Sequence, residues 1–150
     1  VVTIFEASPF TNAIVAALED DGLLVGDGEQ PAGAGWQGEP DVSVFKAYMV
    51  VHAMVGGLLD GSIGDPDDDG SLMYQVSAYG ATRAQCEWAA DQARRVILTG
   101  PLLVAGQRVV RVRVDMLGGA RRDDEVQPPL WLSAERYRLL TTPDATATGS

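Results

Sequence analysis

The chain has 150 residues, 46% of them hydrophobic and 21% charged, with a single cysteine. That size and balance fit one domain with its own core, and one cysteine excludes an internal disulfide. A net charge of −10 argues against nucleic acid held by surface charge.

Ser8 predicts a helix N-cap with Pro9 at the first helical position, and Phe10, Ile14, Ala17 and Leu18 recur at helical spacing. Gly22 is placed to stop this helix after Glu19, Asp20 and Asp21. Carboxylates there oppose the helix dipole, so that end is expected in water. Residues 26–41, GDGEQPAGAGWQGEPD, predict a long loop. Alternation in VSVFKAYMVVHAMV predicts a strand over 43–55. LMYQVSAYG predicts its partner, with Tyr74, Val76 and Ala78 on one face and Gln75, Ser77 and Tyr79 on the other. Residues 43–79 thus predict a hairpin with an acidic tip at 60–70.

A second helix follows. Thr82 and Gln85 form a capping box, and Cys86, Ala89, Ala90, Ala93, Val96 and Ile97 form one apolar stripe. Asp91 and Arg95 stand at a favourable i,i+4 spacing, and Gly100-Pro101 ends the helix. LLV and RVVRVRVDM predict a hairpin across AGQ. In it Val110, Val112, Val114 and Met116 face inward, and Arg111, Arg113 and Asp115 face outward. GGARRDDEVQPP reads as a polar loop, LWLSAERYRLL as a last strand and TTPDATATGS as a disordered tail. One domain is therefore expected over 1–140, with the tail over 141–150. The predicted class is α+β: a mainly antiparallel β-sheet with two helices packed on one face, in the order α-β-β-α-β-β-β.

Motifs that resemble sites do not hold up. Asp65, Asp67 and Asp69 with Gly70 mimic the first half of a calcium loop, but Val76 occupies the place of the twelfth, bidentate ligand and a strand follows instead of a helix. GAGWQG matches a dinucleotide fingerprint in letters only, since prolines and acids flank it. His52, the only histidine, lies mid-strand, and Cys86 lies on an apolar stripe. Trp88 at the stripe's edge fits either the sheet or an interface. No nucleophile, base and oxyanion donor converge, so the expectation is no enzyme, cofactor or metal. No basic leader or membrane-spanning apolar run is visible. The lone cysteine fits synthesis in a reducing cytoplasm.

Charge is divided along the chain. Residues 1–82 hold 13 acids against Lys46, and residues 83–150 hold 10 arginines against 8 acids. Arg108, Arg111, Arg113, Arg121 and Arg122, with Arg136 and Arg138, offer guanidinium groups to the carboxylates of a neighbour. Asp27 and Glu29 in the first loop, and Asp65, Asp67, Asp68 and Asp69 in the second, offer acid. Complementary halves can pair within one copy or between copies.

The run LMYQVSAYGATRAQCEWAADQARRVI resembles the segment shared by tail terminator proteins of bacteriophages with long, non-contractile tails, above all those of actinobacteria. LEDDGLLVGDGEQP, AYMVVHAM and GGLLDGSIGDPDDDG match in order, so the resemblance covers residues 10–115. It implies a virion protein, made in the host cytoplasm, that forms a homo-oligomeric ring, typically hexameric, at the head-proximal end of the tail. Such a ring ends polymerisation of the tail tube protein and meets the head-completion (stopper) protein. Genomic DNA passes through its lumen without specific binding, and no membrane is involved. The acidic loops are expected to face the lumen or a partner, and the arginines and Trp88 a neighbouring subunit. Two other readings fit the residues: a free cytoplasmic ligand-binding α+β domain with the 26–41 loop as a lid, or another head-tail connector or minor tail component.

Overall fold

Residues 8–54, 57–58 and 70–143 are described by the computed structural model of the chain. The apolar stripes form two helices, α1 (Ser8–Asp20) and α2 (Arg83–Thr99). Both pack on one face of a sheet. It is built from β1 (Val25–Asp27), β4 (Tyr48–Ala53), β5 (Gly57–Leu58), β6 (Gly70–Gly80), β7 (Leu103–Val104), β8 (Gln107–Leu117), β9 (Arg121–Asp123) and β10 (Leu130–Pro143). Its path runs β1-β4-β6-β10-β8-β7, with β5 beside β6 and β9 beside β10. Every pairing is antiparallel except β1 with β4. This is the α+β class expected from the sequence.

Alternation along the strands selects the core. Met49, Val51, Leu72, Tyr74, Val76, Ala78, Tyr137 and Leu139 face the helices and bury against Phe10, Ile14, Leu18 and the alanine stripe of α2. Full burial of each large side chain contributes about 1.5–3 kcal/mol. Gln75, Ser77 and Tyr79 point the other way. On that opposite face, a small sheet of β2 (Gly35–Trp36) and β3 (Phe45–Lys46) closes a second cluster around Ala34, Phe45, Tyr48 and Val50. Tyr48 stacks on Tyr79 with ring centroids 4.9 Å apart, and Trp36 meets Phe45 edge-on at 5.1 Å.

The start of α2 is fixed by one glutamine. Thr82 Oγ1 accepts from the Gln85 N–H at 3.1 Å. Gln85 Oε1 in turn accepts from the Ala81 N–H at 2.8 Å, and its Nε2 donates to the Phe45 carbonyl at 2.7 Å. The capping box therefore also ties α2 to β3.

Several expectations change. The strand expected over 43–55 is two strands, because the chain leaves the small sheet after Lys46 and enters the large one at Tyr48. The 26–41 loop is partly ordered structure. Its first residues continue β1, Gly35–Trp36 pairs with Phe45–Lys46, and Gln37 Nε2 bonds the Gly33 carbonyl at 2.9 Å. No helix follows Gly38, which removes the dinucleotide geometry. The final strand runs through Pro143, and Thr141 is buried opposite Gly70, so residues 141–143 are not tail. Asp91 pairs with Arg94 at 2.9 Å instead of Arg95, which reaches Asp21 at 2.6 Å and links the two helices. Met116 faces away from the helices. A β-bulge places it opposite Arg136 and skips Asp115, reversing the expected alternation.

Candidate docking surface

Five of the arginines lie on one border of the sheet. β8 and β9 both pair with the same side of β10, β8 over its later residues and β9 over Leu130–Leu132. They act as one interrupted edge strand, opposite the side that β6 occupies. Arg108, Arg111 and Arg113 stand on β8, and Arg121 and Arg122 on β9. Fourteen residues of β10 run beside them, so the border is about 45 Å long at ~3.3 Å per residue. Beyond Arg108, among the described residues, no strand covers the outer side of β8.

The guanidinium groups differ in what they already hold. Asp115, exposed by the bulge, accepts from Arg113 Nε at 3.0 Å and Arg138 Nε at 2.9 Å. The Arg138 bond, with Arg113 adding to it, holds the Asp115 carboxyl below the usual carboxylate range. Arg122 pairs with Asp124 at 2.6 Å. Arg108 and Arg121 are exposed and form no ion pair among the described residues. On the helix-free face, Arg138 Nη1 also donates to Ser71 Oγ at 2.9 Å, and Arg136 Nε to Gln75 Oε1 at 3.4 Å. Apolar groups interrupt the charge: Leu103 is 83% exposed and Leu117 61%. Exposed arginine mixed with large apolar side chains is interface composition.

Asp115, Asp123, Asp124 and Glu125 stand on or beside the arginine border, but the acids singled out from the sequence lie elsewhere. Asp27 ends β1, the opposite border of the sheet, and exposed Glu29 follows it. Exposed Glu19 and Asp20 close α1 just before β1, as expected for acids at that helix end. Asp65, Asp67, Asp68 and Asp69 fall outside the described residues. Val76 is buried in β6, paired with Val51 and Glu135, and supplies no metal ligand. Among the described residues no group of three His, Cys, Asp or Glu is placed to hold a metal, and no helix is long and apolar enough to cross a membrane. Trp88 is 50% exposed on the outer face of α2, so it does not pack on the sheet and does not join the arginine border. His52 sits opposite Gln75 in β4.

One ionic group is missing from the sequence reading. Glu135 is buried on the helix side of β10, where Arg94 Nε donates to its Oε2 at 3.3 Å and Arg94 Nη2 bonds its Oε1. The Tyr137 hydroxyl donates to the same Oε2 at 2.5 Å. The sequence signal was present: Glu135 shares its face with Tyr137 and Leu139, and Arg94 flanks the alanine stripe.

Burial also governs the neutral acids. The Cys86 thiol, fully buried, is pushed up to about 11 by desolvation, helped by Glu87 and Glu135. All four tyrosines are raised above their ordinary value of 10.0, each first by burial. Tyr48 is pushed up to about 12, with Tyr79 adding to the effect. A raised folded-state value means the fold favours the neutral hydroxyl. This stability is complete below pH 10 and is lost as pH rises toward 12. Tyrosinate absorbance should therefore stay flat past pH 10 and then rise together with loss of circular dichroism. Tyrosines that titrate at their ordinary value in a chain that stays folded would contradict this.

No family model matches the sequence, and no curated protein matches it. A solved chain of the virion of a native gene transfer agent (GTA) particle is similar in structure, with a TM-score of 0.62 at 15% sequence identity. The match covers 93% of this chain and 99% of that chain. The α+β arrangement seen here is therefore also the fold of a chain from a gene transfer agent particle.

Proposed function

We propose that the protein is a structural virion component of a tailed phage or phage-like particle, and specifically a tail terminator. In this reading copies form a ring, hexameric in number, at the head-proximal end of the tail tube. The ring stops tube polymerisation and presents a face to the head-completion protein. DNA crosses the lumen, where excess acid prevents adhesion. The protein does no chemistry of its own.

The observation that carries the reading is the match in fold, nearly end to end on both chains, with a virion chain. The signature YQVSAYGATRAQ gives it a direction, since its likeness to tail terminators is what separates this reading from other virion parts. Charge supports it: arginine on one sheet border and acid on the other suit contacts that repeat head to tail around a ring.

The test is tube capping. Purified protein is added to polymerising tail tube protein, and tube lengths and ends are imaged by negative stain. Capping gives shorter tubes with a ring at one end only. Tubes of unchanged length with bare ends sink the terminator assignment. A protein that ignores tubes but binds a small molecule returns the question to a ligand-binding domain.

A further inference from the structure

We infer that the β8–β9 border of one copy docks against the α1–β1 border of the next copy, through side-chain charge and not through a continued β-ladder. The contact takes its function from the ring reading above, but its existence is tested without any tail component.

Geometry separates the two borders. β1 and β8 are divided by β4, β6 and β10, so they lie about 19 Å apart at ~4.8 Å per strand. Asp27 shares its row with Val51, Val76, Glu135 and Leu117, which places it level with the stretch between Arg113 and Arg121. One border therefore offers Asp27 and Glu29, with Glu19 and Asp20 nearby, and the other offers Arg108, Arg113, Arg121 and Arg122. The arginine border also carries Asp115, Asp123, Asp124 and Glu125, but Asp115 and Asp124 are already paired with Arg113, Arg138 and Arg122, so Arg108 and Arg121 are the cations it has to offer outside an ion pair among the described residues. The acidic border would oppose its own copy carboxylate to carboxylate, at a penalty of several kcal/mol for like charges brought together. The arrangement permits the heterologous pairing, arginine border to acidic border, which closes a ring if its rotation allows.

Main-chain pairing is discouraged on both sides. β1 has three residues. β8 carries register shifts opposite Arg136/Tyr137 and Leu140/Thr141, and such bulges, like edge charges, protect a strand from edge-to-edge addition. Arg108 and Arg121 have no carboxylate of their own among the described residues and are the groups a neighbour's acids can satisfy. Arg113 and Arg122 hold exposed local partners, and exposed pairs are weak enough to be exchanged. Leu103 and Leu117 supply apolar area between them.

Two variants test the inference. Arg108→Glu with Arg121→Glu makes both borders acidic, and Asp27→Arg with Glu29→Arg makes both basic. Sedimentation velocity at low ionic strength should show the wild type self-associating, with salt weakening it. Each variant alone, folded by circular dichroism, should associate at least about tenfold more weakly. An equimolar mixture of the two should recover association, because acidic and basic copies alternate. Variants that associate like the wild type, a mixture that stays dissociated, or a wild type monomeric at its highest soluble concentration would each overturn the contact. If both variants still cap tubes as the wild type does, the border contact fails and the terminator reading stands. If association follows the charge rule but tubes are ignored, the terminator reading fails and the contact stands.

Discussion

Arg94→Ala should destabilise the fold by about 3 kcal/mol, the low end for breaking a buried ion pair by removing one partner. Glu135 is the reason. Its side chain is 4% exposed and lies between α2 and β10, so losing the guanidinium leaves a buried carboxylate without its cation. Without Arg94 its carboxylate keeps one polar contact among those seen here, the Tyr137 hydroxyl at 2.5 Å. Arg94 itself is 33% exposed and also bonds Asp91, so its own removal from water was incomplete and the loss stays near the low end. For a chain of this size the thermal midpoint should fall by roughly 6–12 °C. A paired replacement checks the cause. Arg94→Met with Glu135→Leu removes both charges and should recover most of the stability, because an apolar pair of similar volume avoids the desolvation penalty. Tyr137→Phe, which loses one hydrogen bond, should cost about 1 kcal/mol. Chemical denaturation of the four proteins measures this. An Arg94→Ala midpoint equal to the wild type's, or a double variant no more stable than Arg94→Ala, would show that the pair does not hold the helix to the strand. β10 also carries β8 and β9 on its outer side, so loosening it disturbs the arginine border as well.

Most of the α+β frame was legible because its signals are local. The alanine stripe of α2 repeats at 3.6 residues, the Thr82 and Gln85 cap sits at its start, and Tyr74, Val76 and Ala78 alternate with period two. What escaped depends on contacts distant in sequence. β1 is three residues inside a Gly- and acid-rich run, and only its parallel pairing with Met49–Val51 makes it a strand. The bulge at Asp115 cannot be seen in VRVRVDM, residues 110–116, whose letters alternate. It arises from the register with β10, and it turns Met116 outward and sets Asp115 between Arg113 and Arg138. The charged groups were legible as a composition but not as a layout. Residues 108–122 cluster in sequence, yet only the shared partner β10 puts them on one border, while Trp88 ends on a different face. Asp27 and Glu29 looked like part of an open loop and instead mark the opposite border.

Gly80→Ala should be the most damaging single-methyl change within the signature YQVSAYGATRAQ, by about 3 kcal/mol or more. β6 ends at Gly80, and the chain turns directly into α2 through Ala81 and Thr82. A Cβ at position 80 would stand 2.5 Å from the Cys86 backbone nitrogen and 3.0 Å from its Cα. These atoms belong to the first turn of α2 and cannot swing aside as a side-chain tip would. Relief requires α2 to lift from β6, and that opens the contact between Cys86, Ala89 and Ala90 and the core face of the sheet. The Cys86 Sγ contact to the Ala78 carbonyl at 3.5 Å would go with it. A useful control is Gly38→Ala, where the nearest neighbour is the Ser43 side chain at 3.3 Å. That change should stay within about 1 kcal/mol. The thiol gives a second readout. Native Cys86 is buried and its thiol is held up near 11, so it should resist alkylation at neutral pH. In Gly80→Ala a lifted helix should admit the reagent well below the melting temperature. An alanine variant that keeps both the wild-type midpoint and a protected thiol would mean that the close approach of strand and helix is not what the signature glycine provides.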